Sequence, residues 1–570
     1  MSAFDTVIRG GTVVDGTGGA PFLADVGITA GRIAAIGPDL ARGANEIDAR
    51  GRIVTPGFVD LHTHYDGQVT WDNRLSPSSY HGVTTAVIGN CGVGFAPCRG
   101  DAASRDAMVR LMEGVEDIPH PVLTEGLPWT WETFPEYLDF LASRSYDMDI
   151  AAYVPHAPLR VYVMGQRGAD REAATPADIA EMCRLLEQAL DLGALGIATS
   201  RSLFHRSSDG KAIPTYQAAQ AELLAFAEVL RAKGKGVFQI VEDIHVPGAN
   251  LGAMCELARA SGRPLTFSIG TGNTGPYGYP RLLDELAAAN AEGLVMKGQL
   301  MPRGIGMILG FELTLNPFYT TATFARLSAL PLPQRLEQLR RPEIRAAILS
   351  EQVDPDPALV LGRAVRDFEH MFLLGDEPDY EQPPERSIAG RAKAAGVSPE
   401  EFAYDVMVEG ENGGLLYLAM ANYADGSLDA VGEILSHPDV VLGLGDGGAH
   451  VGTICDASYS TFALTHWARD RQRGRKTVAD MVHRMTQATA RLIGLDDRGE
   501  LAVGKRADIN VIDLDRLSLG APQVCHDLPA GGRRLIQRAT GYDLTMIAGE
   551  IVARQGEPTG ALPGRLIRAA

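Results

Sequence analysis

Val54-Thr55-Pro56-Gly57-Phe58-Val59-Asp60-Leu61-His62-Thr63-His64-Tyr65-Asp66 is the stretch whose reading decides the fold. Val54, Phe58, Val59 and Leu61 form an apolar run around a Pro-Gly break, the pattern of a short strand buried on both faces in a parallel sheet. The run ends in His-x-His. Side chains at i and i+2 of a strand leave the same face, so His62 and His64 are expected to point together into whatever the strand's end opens onto. Two imidazoles so placed make half of a metal site.

Outward from this stretch, residues 5–53 carry short alternating runs between Gly-rich turns, and similar material recurs at Ala507 to Asp513 and Leu544 to Val552. The simplest assembly is one small β-sandwich built from both chain termini, 1–55 with 495–570. Between them, apolar runs alternate with helical patterns, the βα signature of a parallel sheet. After the His-x-His strand, the candidates are Thr84 to Ile88, Ile150 to Val154, Leu195 to Thr199, Gly236 to Val241, Leu265 to Ile269, Leu294 to Lys297 and Val440 to Leu444. That makes eight, the number that closes a TIM-like (β/α)8 barrel, expected over 56–494 in an α/β chain. Pro176 to Gly193 and Tyr216 to Lys233 show helical periodicity. Residues 300–435 are too many for one connection and read as a charged, proline-interrupted helical insertion, either a lid or a subdomain packed on the side.

Composition narrows the class. With 570 residues the chain can hold a barrel and a second module, and 45% hydrophobic with 22% charged residues is globular. A net charge of -19 argues against nucleic-acid and anionic-membrane partners, because phosphate binding needs concentrated Lys and Arg. No apolar run approaches the roughly 18 residues that span a bilayer. The start, Met1-Ser2-Ala3-Phe4-Asp5, lacks a basic segment followed by an apolar one, so a cytoplasmic location is expected. Six scattered cysteines are too few for a disulfide framework and are expected to be mostly reduced.

In a barrel of this kind the reactive groups sit at the C-terminal ends of the strands. The second strand ends Gly89-Asn90-Cys91-Gly92, where Cys91 is either a thiolate ligand or a small buried apolar residue. The last ends Gly445-Asp446-Gly447-Gly448-Ala449-His450; a carboxylate there can bind a metal and also take a proton from water.

Pro56 to His64, His81-Gly82-Val83-Thr84-Thr85 leading to Gly89-Asn90-Cys91-Gly92, and Gly445-Asp446-Gly447, with β material at both termini, resemble the amidohydrolase superfamily. The D-aminoacylase (N-acyl-D-amino-acid deacylase) group is the best match within it, supported by Phe134 to Leu138 and His156 to Gly165. The resemblance is strong over about residues 1–240 and from 440 onward, and weak between. It implies that Cys91 is a zinc ligand and that His62, His64 and Asp446 hold metal.

Two departures stand out. The group carries ligand histidines after the fifth and sixth strands, but the segments here read Gly236-Val237-Phe238-Gln239-Ile240-Val241-Glu242-Asp243-Ile244-His245 and Leu265-Thr266-Phe267-Ser268-Ile269-Gly270. No histidine stands at either place, and Lys297 lies on a later strand than a bridging lysine would. His62, His64, Asp446 and Cys91 suffice for one divalent ion, expected to be zinc, with a second left open and Glu242, Asp243 and His245 as substitute ligands or solvated loop residues. The resemblance implies attack of metal-bound hydroxide on an amide carbonyl, with Asp446 moving the proton. Its substrates carry a carboxylate beside the amide. Arg160, Arg201 and Arg303 are candidates to bind it, each equally a candidate for an ordinary ion pair. His205 and Tyr216 bracket a polar loop that could line the pocket, and His450 could orient Asp446.

The expected function is hydrolysis of small N-acyl amino acids, D in configuration if the resemblance extends so far. A cyclic-amide or lactone hydrolase on the same barrel is the second reading, and an inactive barrel acting as a binding protein the third. A homo-oligomer is left open.

Overall fold

The computed structural model describes residues 2–244, 250–272, 278–351, 364–410 and 413–569. The apolar run of the opening stretch is divided between two sheets, not one strand as expected. Ile53–Pro56 pairs antiparallel with Ile509–Ile512 and parallel with the end of Phe4–Val13, whereas Phe58–Asp60 starts a different sheet. The Pro-Gly pair makes the junction. Proline has no N–H to continue a ladder, and a Cβ on Gly57 would stand 2.2 Å from Thr84 Oγ1, so only glycine lets the chain cross this closely.

Both termini contribute to one continuous nine-stranded sheet, in which the N-terminal strands from Phe4 to Pro56 meet Ile509–Ile512, Tyr542–Ile547 and Glu550–Arg554. Ile8, Val26, Ile28 and Val54 share one core with Val511, Leu544 and Met546.

The parallel strands follow in chain order: β1 (Phe58–Asp60), β2 (Val83–Ile88), β3 (Asp149–Ala152), β4 (Gly196–Ser200), β5 (Val237–Val241), β6 (Leu265–Ile269), β7 (Met296–Leu300) and β8 (Val440–Leu442). β1, β2 and β3 pair in that order, and a short continuation of β3, Val154–Pro155, pairs with β4 and begins a second run through β8. β1 and β8 are joined beyond their ends, where Asp446 N donates to His62 O at 3.0 Å and His64 N to Gly447 O at 2.8 Å. Val59, Leu61, Val87, Ala151, Tyr153, Ala198, Val237 and Val441 fill a common interior.

Helices lie between the strands. Among them are α1 (Ala102–Glu116), N-capped by Asp101; α2 (Pro176–Asp191), opened by a Thr175/Asp178 capping box; and α3 (Gln220–Lys233), ended by Gly234 in the left-handed region. No helix among the described residues is long and apolar enough to cross a membrane. All six cysteines are free.

The insertion carries the expected helices, among them Leu332–Leu339, Pro342–Ser350, Ile388–Ala395 and Pro399–Val408, and strands besides. It contains a three-stranded antiparallel sheet, Ile305–Leu309 and Met371–Leu373 flanking Leu416–Ala421, over an apolar core that includes Phe311, Phe318, Phe324 and Tyr404. The strands are short, almost wholly apolar runs of Ile, Leu, Met and Ala with Phe372 and Tyr417, and their burial against the helices, not a strand-favouring composition, accounts for them. It packs on the loop after β8, with Ile308 N donating to Thr453 O at 2.6 Å.

Arg498 ties the two sheet systems together. Its guanidinium, buried, donates to Asp149 Oδ2 at 2.6 Å and Thr85 Oγ1 at 3.0 Å, and lies 3.7 Å from Asp508 beside the terminal sheet. Replacing it by methionine removes a cation between two buried carboxylates. Arg498→Met is expected to cost about 3 kcal/mol, read as a lower midpoint in urea unfolding; an unchanged midpoint would refute the tie.

Candidate metal centre

Beyond β1 the chain keeps strand-like alternation. Thr63 N donates toward β2, to Val87 O at 3.1 Å, while His62 and His64 use their backbone toward the segment after β8. Both imidazoles therefore leave the same side. His62 Nε2 lies 3.2 Å from Cys91 Sγ and 3.6 Å from Asp446 Oδ1; His64 Nε2 lies 3.7 Å from each. Ligand atoms of His62, His64 and Cys91 all fall within 4.8 Å of one another.

The turns that deliver Cys91 and Asp446 are unusual. Cys91 has φ 55° and Asp446 φ 45°, both in the left-handed region that ordinary residues avoid. Asn90 Nδ2 holds the first turn by donating to Val87 O at 2.8 Å and Thr63 O at 3.2 Å. At the second, a Cβ on Gly445 would stand 2.1 Å from Asp60 Oδ2, so the backbone before Asp446 passes where no larger residue fits.

Electrostatics follow from burial. It lowers His62 to about 3 and His64 well below the ordinary histidine value, leaving both rings neutral. Burial also pushes the Cys91 thiol and the carboxyls of Asp446 and Glu116 well above their usual values, with mutual repulsion adding to it, and raises Asp60 and Asp66 to about 7. Among the described residues no lysine or arginine forms an ion pair with Asp446 or Glu116.

Neutral imidazoles, a thiol and carboxyls without a counter-cation are the donor set of a divalent ion. In tetrahedral zinc sites the known bond lengths give N···S edges of about 3.5 Å and N···O edges of about 3.3 Å. The N···S separations of 3.2 and 3.7 Å and the N···O separations of 3.6 and 3.7 Å are of this size, and the group whose ligand atoms all lie within 4.8 Å of one another is His62, His64 and Cys91.

Three residues around these donors have no counterpart in the sequence-based site. Gln299 Oε1, from β7, is 3.1 Å from His62 Nδ1. Gln239, from β5, accepts from Cys91 N at 3.1 Å. Glu116, the last residue of α1, places Oε1 3.2 Å from His64 Nδ1 and Oε2 3.6 Å from His450 Nε2. A glutamine inside a buried strand is a legible signal; a glutamate ending an amphipathic helix normally reads as solvated.

Other expected residues are committed elsewhere. Arg160 is buried against Glu222, donating to Oε1 at 2.6 Å and to Glu172 O at 2.7 Å, while its Nε finds no partner among the described residues. Arg201 is held by Glu242 at 2.6 Å and Gln220 at 3.1 Å. That pairing removes Glu242 as a ligand, and Asp243 is spent on Ser202 Oγ and Leu203 N. His245 lies outside the described residues, and Lys297 pairs with Asp439 at 2.6 Å. Arg303 is buried over the Tyr380 ring at 4.0 Å and donates to Asp456 and Cys455 O at 2.9 Å, yet its Nε and Nη1 find no partner among the described residues. His205 Nδ1 meets Ser200 Oγ at 2.8 Å, and the half-buried Tyr216 packs against the main core. The ring of His450 stands at Glu116, and no hydrogen bond or ion pair joins it to Asp446.

The chain is similar to known proteins over nearly its whole length. A D-aminoacylase of Alcaligenes xylosoxydans xylosoxydans is 28% identical over 570 residues, 99% of this chain and 97% of the relative. A solved D-aminoacylase structure superposes with a TM-score of 0.66 at 24% identity, covering 99% of this chain and 100% of the other. The N-acyl-D-glutamate deacylase of Bordetella bronchiseptica, solved with zinc and a phosphonate inhibitor, gives 0.64 at 24% identity, with coverage of 99% and 100%. The profile described as "Amidohydrolase family" matches residues 45–553, and the chain belongs to that family.

Proposed function

We propose that this chain is a metal-dependent hydrolase of the amide bond in N-acyl amino acids, D in configuration, working with one zinc ion. The observation that carries this reading is the meeting of His62, His64 and Cys91, whose ligand atoms lie within 4.8 Å of one another, with Asp446 Oδ1 3.6 and 3.7 Å from the two imidazoles. The scaffold proposed with it is a closed (β/α)8 barrel over 56–494, accompanied by a β domain from 1–55 and 495–570. Eight parallel strands and the backbone bonds linking the segments after β1 and β8 support it. The named relatives support the acyl-D-amino-acid class.

His62, His64, Cys91 and Asp446 would hold the ion, which when bound supplies Lewis acidity to a water and to the amide carbonyl. Gln299 and Glu116 face the far nitrogens of the two imidazoles and keep the Nε2 lone pairs turned toward the donor cluster. Asp446, the most exposed of the four with 22% of its side chain accessible, accepts the proton of the attacking water and returns it to the leaving nitrogen. Gln239, within the fifth strand, bonds the Cys91 backbone. The lack of a histidine after the fifth and sixth strands supports one ion over two. Among the three arginines, Arg303 is proposed to meet the substrate carboxylate, because two of its nitrogens, Nε and Nη1, remain unpartnered, against one for Arg160 and none for Arg201.

Protein purified without chelator is expected to contain about one zinc per chain by mass spectrometry, and none in a His62→Ala/His64→Ala variant. No metal even after zinc is added back would sink the hydrolytic reading, and two per chain would refute the single-ion assignment. Asp446→Asn is expected to lower kcat by about 10²- to 10⁴-fold on the best N-acyl-D-amino acid. Arg303→Met should chiefly raise KM, and an unchanged KM would remove Arg303 from the substrate site. Turnover of cyclic imides with none of linear N-acyl substrates would replace this substrate class by the second one.

A further inference from the structure

Glu116 is 1% exposed, and its two carboxylate oxygens find no hydrogen-bond partner of good geometry among the described residues. Such a group is costly, since a buried carboxyl without partners loses its hydration and gains nothing in return. A merely structural residue at the end of α1 would not be expected to persist in this state. What faces it is specific. Oε1 stands 3.2 Å from His64 Nδ1, itself buried and unpartnered, and Oε2 stands 3.6 Å from His450 Nε2.

The position of Glu116 is determined from both sides. Its carbonyl oxygen accepts from His450 N, in the loop after β8. Asp117 follows it in the left-handed region and accepts from Thr314 Oγ1 of the insertion at 3.2 Å, so the helix end is clamped where the insertion meets that loop. The partner of the other imidazole is different in kind: His62 Nδ1 faces the neutral amide oxygen of Gln299 at 3.1 Å. A carboxylate partner makes an imidazole a stronger donor than an amide partner does.

We propose that Glu116 is a positioning residue that orients His64 through Nδ1, strengthens it as a metal donor, and ties it to the loop of Asp446 through His450. The inference rests on the metal-site reading above. Its characteristic consequence is a sign difference: Glu116 stabilises the zinc-loaded protein and burdens the metal-free one.

The test uses the full chain, with Glu116→Gln and Glu116→Asp as variants. Zinc dissociation constants come from competition with a chromophoric chelator, visible spectra from cobalt-substituted protein, and melting temperatures from metal-free and zinc-loaded samples. Glu116→Gln is expected to bind zinc about 10- to 100-fold more weakly and to shift the cobalt spectrum, while its metal-free melting temperature stays equal or rises. Glu116→Asp, which keeps the charge, is expected to recover part of the affinity. Wild-type zinc affinity and cobalt spectrum in Glu116→Gln would overturn the proposal. So would a lower metal-free melting temperature, which would mark a structural role. Failure of the wild-type protein itself to take up zinc would remove the metal-site reading, and this inference with it; the wild-type control keeps the two failures apart.

Discussion

The largely buried cluster of His62, His64, Cys91, Asp446 and Glu116, which has no Lys or Arg ion-pair partner among the described residues, governs how the backbone around it is built. Burial makes the charged forms of Cys91, Asp446 and Glu116 expensive, and it keeps His62 and His64 neutral. Such a cluster is poor as a folding core, because apolar side chains of the same volume would stabilise the interior more. It is well suited to a cation that brings its own positive charge. The cost of burying these groups is local, and the surrounding apolar interior of Val59, Leu61, Val87 and Ala151 offsets it.

The backbone is bent to serve the cluster. Three left-handed non-glycine residues, Leu444, Asp446 and His450, fall within one loop, and a fourth, Cys91, sits at the end of β2. Left-handed backbone of this kind persists only where neighbours over-determine it. Here Asn90 secures the Cys91 turn, Asp60 crowds Gly445, and the bonds from Asp446 N and to Gly447 O pin the last loop to the first strand. The insertion adds a further brace, reaching the loop after β8 through Thr453 and the end of α1 through Asp117.

Two buried amides brace the cluster. Gln239 and Gln299 project from β5 and β7, one reaching the Cys91 backbone and the other the His62 ring. A neutral amide holds a neighbouring polar group in place without adding charge to a buried site.

The parallel strands and the contribution of both termini to one β module are written in the sequence. The sequence also names His62, His64, Cys91 and Asp446 as candidate donors, because short apolar runs ending in polar residues mark strand ends and side-chain alternation says which residues share a face; the structure places these four side chains beside one another. The sequence did not show that Pro56-Gly57 divides two sheets, that the insertion carries a sheet of its own, or that Arg160 and Arg201 are consumed by Glu222 and Glu242. Nor could it show Glu116. The partners of a charged side chain lie far away in the chain, 52 residues for Glu116 and His64, and only the packing of α1 against the strand ends brings them together. Local pattern encodes which face a residue occupies; which other face it meets is decided by tertiary packing.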